Sequence, residues 1–256
     1  MRQRLINLSG VLMLVCIIIW LTGCSSIRPA SEVKTVLRAG CDLSSYHHNA
    51  ERQEIDIQCS TFVSQNHLDD VIKAIRSIVK IPIILFPNNI TGISRYADAI
   101  WFMSLLNSVD PYFLIGAQIL GAPLVKKYGL EPISMGYIIV GEGGTAGVVG
   151  KAIPVPYNKP ELAAAHALAG QYLGMHFIYL EGGSGAKNPV PPEMIRMVKQ
   201  YIDVPLIVGG GIRTKEQALA AASAGADIIV TGNIVESTDG KQKVSEIIEG
   251  VKGNKA

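Results

Sequence analysis

From Ile55 to its end the chain alternates short β-branched, apolar runs with longer stretches of helical spacing. That alternation points to an α/β architecture with a parallel sheet. Strand-like runs fall at 55–59, 81–86, 99–105, 134–140, 176–180, 206–209 and 228–231. Most of their positions are apolar, the pattern of parallel strands covered on both faces. Residues 68–78 carry apolar side chains at 68, 71, 72, 75 and 78, one face of a helix. Residues 160–173 are Ala-rich, and Pro191-Pro192-Glu193 places prolines where a helix begins. Thr214-Lys215-Glu216-Gln217 has capping-box spacing ahead of an Ala-rich stretch closed by Gly225. A last helix is read at 244–251. Seven strands predict a barrel of eight with the first one missing.

At 256 residues, 48% hydrophobic, the chain is long enough for one such barrel and can fill its core. A net charge of +2 leaves no electrostatic footprint for nucleic acid. Four cysteines, Cys16, Cys24, Cys41 and Cys59, form neither a disulfide framework nor a zinc spacing, and His47-His48 lacks a third ligand nearby.

The front of the chain reads differently. Arg2 and Arg4 precede an apolar run over 5–21 that ends Leu21-Thr22-Gly23-Cys24. A basic start, a short apolar stretch and small residues before a cysteine resemble a bacterial lipoprotein signal. An uncleaved anchor, or a start site upstream of the true protein, are the alternatives. Residues 25–54 carry little periodicity beyond a possible short helix over 31–40. The division expected is therefore a signal-like segment at 1–24, an unassigned stretch at 25–54, and a barrel at 55–256.

Glycine carries the chemical signal. Three successive strands end in glycine-rich turns: Glu181-Gly182-Gly183-Ser184-Gly185, then Gly209-Gly210-Gly211, then Thr231-Gly232-Asn233. Glycine lets the backbone approach an anion so that several N–H groups can meet phosphate oxygens. Any one of these is an ordinary tight turn. Three in this order, after the last strands of a barrel, indicate a phosphate site and a phosphorylated small substrate.

Glu181 directly follows the apolar Phe177-Ile178-Tyr179-Leu180, at the rim where barrel enzymes keep catalytic groups. A carboxylate there can take a hydroxyl proton or hold a diol, and Tyr179 can add a hydroxyl contact. The middle of the chain is unusually greasy: Ile100-Trp101-Phe102-Met103 and Pro111-Tyr112-Phe113-Leu114-Ile115 lead into an apolar helix over 116–128 interrupted by Pro123. Core plus an oligomer interface accounts for most of that surface; a groove for a long hydrocarbon chain is the sharper explanation.

Taken together, several motifs closely resemble the geranylgeranylglyceryl phosphate synthase family. They are Phe86-Pro87-Asn88-Asn89-Ile90, Phe102-Met103-Ser104-Leu105-Leu106-Asn107-Ser108, Gly121-Ala122-Pro123-Leu124-Val125-Lys126-Lys127, Tyr179-Leu180-Glu181-Gly182-Gly183-Ser184-Gly185, Val208-Gly209-Gly210-Gly211-Ile212-Arg213 and Val230-Thr231-Gly232-Asn233. The likeness runs from about Ile55 to the C-terminus. It implies a modified (β/α)8 TIM-type barrel that joins a prenyl diphosphate to sn-glycerol 1-phosphate with magnesium, the first ether bond of archaeal membrane lipids. It also implies a homo-oligomer working in the cytoplasm close to the membrane. The family's glycerol-phosphate site falls on Tyr179, Leu180, Glu181, Gly182, Gly183, Ser184, Gly185, Gly210, Gly211, Gly232 and Asn233, with Glu181 and Tyr179 as catalytic residues. Ser60 matches a magnesium position.

The resemblance stops at the front. The family's first strand ends in Asp-Pro-Asp-Lys, which is absent here, and its second ends in Gly-Gly-Ser where this chain has Gln58-Cys59-Ser60. The first strand and helix are replaced. A synthase with a damaged or fused 5′ end is expected, with a poor magnesium site and low activity. An exported lipoprotein on a barrel remnant and another phosphate-binding barrel enzyme are the alternatives. The first strand position is expected to be empty or poorly filled by residues 27–54.

Overall fold

The computed structural model describes residues 19–20, 25–27, 36–37, 46–49, 54–57, 65–78, 82–183, 185–232, 234 and 239–253. Its strands are β1 (Ile19–Trp20), β2 (Ser25–Ile27), β3 (Val36–Leu37), β4 (Tyr46–Asn49), β5 (Glu54–Ile57), β6 (Ile84–Phe86), β7 (Ala99–Leu105), β8 (Glu131–Ile139), β9 (Phe177–Glu181), β10 (Leu206–Gly209) and β11 (Ile228–Val230). The helices are α1 (Gln65–Ile78), α2 (Ala117–Tyr128), α3 (Gly144–Val149), α4 (Pro160–Tyr172), α5 (Pro192–Tyr201), α6 (Lys215–Ser223) and α7 (Gly240–Gly253), and a π-helical turn, Tyr112–Gly116, precedes α2.

Seven strands form one parallel sheet in the order β1-β6-β7-β8-β9-β10-β11. Six are the runs expected from the apolar pattern, with 99–105 and 206–209 matching end to end. Phe86 on β6 and Tyr179 on β9 lie three strand spacings apart, about 14 Å in a flat sheet. Their ring centroids are 5.9 Å apart, so the sheet curls toward a common interior. That interior holds Phe86, Trp101, Met135, Tyr137, Ile139 and Tyr179, while the other face packs Ile138, Ile178 and Leu180 with the buried face of α5 (Met194, Ile195, Val198). Among the described residues β1 and β11 are the two edges, and the sheet is open between them.

The seventh strand is not the expected one. Residues 55–59 were read as a parallel strand; Glu54–Ile57 instead pairs antiparallel with Ser25–Ile27 and Tyr46–Asn49 in a second, four-stranded sheet. The reason is legible in Glu54-Ile55-Asp56-Ile57, which alternates charged and apolar residues. That period of two suits a sheet with one wet face, not a strand covered on both sides. The place beside β6 is taken by Ile19–Trp20, from the signal-like run, registered on Leu85 and Phe86. Residues 25–54 are likewise not bare of structure: they contribute β2, β3 and β4, and Val36–Leu37 is a strand where a helix was expected. The rest of the signal-like run, with Cys16 and Cys24, and also Cys41, Cys59 and Ser60, lies outside the described residues. No helix among the described residues is long and apolar enough to cross a membrane.

Helix ends follow local chemistry. Pro160 and Pro192 open α4 and α5 in the first turn, where a missing N–H costs nothing. Gly129 closes α2 at φ 69°, the left-handed cap that glycine accepts without strain. At α6 both halves of the capping box form: the Thr214 hydroxyl accepts from the Gln217 N–H at 3.3 Å, and the Gln217 side chain accepts from the Thr214 N–H at 3.2 Å. Thr214→Ala should lower stability by about 1 kcal/mol in chemical denaturation, with an unchanged denaturant slope.

Candidate functional site

The parallel register brings the glycine turns to one rim. Gly209 on β10 stands beside Glu181 on β9 and Val230 on β11, so the turns after these three strands are neighbours. The Gly182 N–H donates to the Gly209 carbonyl at 2.8 Å and continues the sheet into the turn. Gly210, at φ 74°, passes so close to Gly183 that a Cβ there would overlap the Gly183 carbonyl. Gly183 at φ 108°, Gly185 at φ 80° and Gly211 at φ 78° share that left-handed region. The backbones meet with no side chain between them, the arrangement a phosphate cradle of N–H groups requires. Thr231 ties the third turn in, its hydroxyl donating to the Ile212 carbonyl at 3.1 Å.

Glu181 is 1% exposed, a buried carboxylate and not a loop acid. The Tyr137 hydroxyl donates to its Oε2 at 2.9 Å and the Gly183 N–H to its Oε1 at 2.6 Å. The Tyr179 hydroxyl is buried close by, against Gly209. Burial pushes the Glu181 pKa above its ordinary 4.5, against the opposing pull of these donors. Tyr137 lies far above its usual range through its own burial and the adjacent carboxylate. Each carboxylate oxygen has two lone pairs, so both keep room for a substrate hydroxyl.

Tyr137 was not foreseen as a site residue. Tyr137 and Tyr179 are registered partners on β8 and β9, their rings stacked with centroids 5.0 Å apart, and Glu181 lies two residues further along. The period of two that turns Met135 and Ile139 inward was the available signal. Asn107, part of one family motif, was assigned no role. It is 7% exposed and bonds three backbone groups: its Nδ2 donates to the carbonyls of Ile139 and Ile153, both at 2.8 Å, and its Oδ1 accepts from the Ile139 N–H at 3.1 Å. This folds the segment after β8 back over the rim. Tyr157 then lies against Gly141, where any Cβ would overlap its ring, with its hydroxyl near Gly182. Burial and the nearby Glu142 and Glu181 raise the Tyr157 pKa.

Of the sequence candidates, Tyr179, Leu180, Glu181, Gly182, Gly183, Gly185, Gly210 and Gly211 are gathered at this rim, and Gly232 follows β11 as an exposed residue. Ser184, Asn233 and Ser60 lie outside the described residues. Among the described residues no group of three His, Cys, Asp or Glu could hold a metal ion. Glu181 is the one acid in these turns. Magnesium is usually held by one or two carboxylates together with substrate phosphates and waters, and the family's magnesium position, Ser60, is not among the described residues.

On the outer side of the sheet, a groove of about 410 Å³ opens between the π-helical turn and α4, lined by Leu106, Leu114, Ile115, Leu173 and Met175 with His166. Ile115, Ile119, Leu120 and Leu173 are exposed along it and beside it, so much of the greasy middle remains surface.

The PcrB family matches residues 53–251. A geranylgeranylglyceryl phosphate synthase of Pyrococcus abyssi (strain GE5 / Orsay) is 60% identical over 197 residues, 75% of this chain and 78% of its own length. That of Thermococcus kodakarensis is 56% identical over 216 residues, 83% of this chain and 86% of the relative. Among solved structures, the (S)-3-O-geranylgeranylglyceryl phosphate synthase of Thermoplasma acidophilum, in complex with its substrate sn-glycerol-1-phosphate, superposes with a TM-score of 0.73 at 41% identity. It covers 77% of this chain and 80% of its own. With the three-turn rim and the buried Glu181 already in place, these matches show that the chain belongs to the PcrB family of geranylgeranylglyceryl phosphate synthases.

Proposed function

We propose that the chain transfers a prenyl group, geranylgeranyl or similar, from its diphosphate to the hydroxyl of sn-glycerol 1-phosphate, forming the first ether bond of an archaeal membrane lipid. The observation that carries this is a buried, hydrogen-bonded Glu181 one residue from a glycine cradle. It is joined by 41% identity to an enzyme whose structure contains sn-glycerol-1-phosphate. The phosphate rests on the backbone N–H groups that the turns after β9, β10 and β11 leave free, those of Gly182 and Gly183 being already bonded to the Gly209 carbonyl and to Glu181. The glycerol hydroxyl then meets Glu181 and Tyr179. As the hydroxyl oxygen bonds to the allylic carbon, the carbon–oxygen bond to diphosphate breaks and its electron pair leaves with the diphosphate. The hydroxyl proton passes to Glu181. The apolar interior keeps water from the allylic cation.

In this reading the curled sheet is the wall of a modified (β/α)8 barrel, and residues 55–256 are the catalytic unit. The family's prenyl diphosphate, homo-oligomeric state and cytoplasmic work near a membrane are carried with it. Residues 1–24 and 25–54 form a front end foreign to the family. Ile19–Trp20 within it pairs with β6, a place that a cleaved leader would leave open. Magnesium, where Ser60 helped to hold it, would supply charge compensation for the diphosphate. Ser60 alone is a weak ligand for it, so occupancy and turnover of this chain are expected to be low.

Glu181→Gln should lower turnover about 10²–10⁴-fold while keeping most of the glycerol-phosphate affinity, measured by calorimetry. Unchanged turnover would remove Glu181 from the reaction. The base must be ionised, so the acid limb of the rate profile should lie above the ordinary carboxylate value of 4.5. The same raised pKa has a stability consequence of fixed sign. The folded state holds the Glu181 proton more tightly than the unfolded chain, so this contribution is full below 4.5 and is lost as pH rises through the raised value. Glu181→Gln should flatten that part of the stability profile. Gly210→Ala adds left-handed strain of about 1–2 kcal/mol and an overlap with Gly183. It should cut glycerol-phosphate affinity by more than about tenfold.

A further inference from the structure

We propose that Arg213 is a positioning residue for the phosphate cradle: its guanidinium locks the turn after β9 onto the turn after β10 and leaves an unneutralised positive charge beside them. This rests on the function proposed above and deepens it, since neither the glycine motifs nor Glu181 requires this arginine.

The geometry is anchored at both ends. At its root, the Arg213 N–H donates to the Gln217 Oε1 at 2.7 Å, so the α6 capping box fixes its backbone. At its tip, Nη2 donates to the Ala186 carbonyl at 2.8 Å, across 27 residues of chain, and Nη1 reaches the Gly211 carbonyl at 3.4 Å. One fork thus spans two phosphate turns. The third turn is joined at the neighbouring residue, where Thr231 bonds the Ile212 carbonyl. The turn after β9 needs this support. Gly183 and Gly185 both hold left-handed backbone, and the Ala186 N–H bonds back to the Gly183 carbonyl at 3.1 Å. Fixing the Ala186 carbonyl therefore sets the orientation of the whole loop.

Charge favours the same role. Among the described residues no carboxylate stands within ion-pair distance of Arg213, a state it shares with Arg95 and Lys187, but Arg213 alone of these is hydrogen-bonded to the glycine turns. An arginine that only braced two loops would gain from a carboxylate partner. One bonded solely to carbonyls keeps its full charge for an arriving phosphate. A guanidinium supplies two N–H donors in a rigid plane; an ammonium is a point charge and cannot copy the fork.

The test compares the full-length chain with Arg213→Ala and Arg213→Lys, using sn-glycerol 1-phosphate and inorganic phosphate as calorimetric probes. Amide hydrogen exchange is followed in parallel without ligand. Arg213→Ala should weaken both phosphates about 10- to 100-fold and speed exchange across 182–188. The denaturation midpoint and exchange in β9 and β10 should stay close to those of the parent. Arg213→Lys should keep part of the affinity through its charge while the loop still exchanges fast, and added guanidinium ion should restore binding to Arg213→Ala. Parent-like affinity and loop exchange in Arg213→Ala would overturn the proposal; if that variant fails to fold, the same two readouts on Arg213→Lys decide. A parent chain that binds no glycerol phosphate would instead strike at the proposed function, and the exchange data would still report on the brace.

Discussion

A buried carboxylate at the end of a parallel strand is the constraint around which this molecule is arranged. Glu181 is almost fully removed from water, and such a group is tolerated only where donors meet it. Those donors come from two sources: a hydroxyl from β8, Tyr137, and a backbone N–H from the turn that follows, Gly183. The first requires β8 and β9 to be parallel and in register, with Tyr137 opposite Tyr179. The second requires the turn to double back at once, which Gly183 does at φ 108°. Satisfying one carboxylate therefore fixes both a strand pairing and the shape of the adjoining loop.

The same loop is then pressed against its neighbour. The contact between Gly183 and Gly210 has no room for a Cβ, so the backbones of the two turns pack directly on one another. Helix α6 supports this from behind: its capping box holds the chain at Arg213, and Arg213 reaches back to Ala186. In the proposed reaction, substrate orientation and proton acceptance fall to adjoining residues of one rim. An acid kept in an apolar setting becomes a better base near neutral pH.

Much of this was legible in the sequence, for local reasons. Strands 99–105 and 206–209 are apolar apart from Ser104 and bounded by loop residues, and Thr214 to Gln217 encodes its cap within four residues. The glycines after β9, β10 and β11 announced a rim because their order along the chain is also their order in the sheet. What was not legible depends on long-range partners. Tyr137 and Glu181 are 44 residues apart, and Asn107 and Ile139 are 32 apart; no window of sequence holds either pair. At the front, an apolar run reads alike as signal, anchor or buried strand, so the pairing of Ile19–Trp20 with β6 could not be foreseen. The alternation in Glu54–Ile57 was a usable sign of a one-sided sheet, passed over because the surrounding motifs favoured a barrel strand.

The central claim is that the rim formed by Glu181, Gly183 and Gly210 is a glycerol-phosphate site with the carboxylate at the reacting hydroxyl. A crystal structure of the full-length chain with sn-glycerol 1-phosphate tests it most directly. The account predicts the phosphate bonded by backbone N–H groups of the turns after β9 and β10, and a glycerol hydroxyl within hydrogen-bond distance of a Glu181 oxygen. A phosphate bound away from these turns, or a ligand turned so that no hydroxyl meets Glu181, would contradict it.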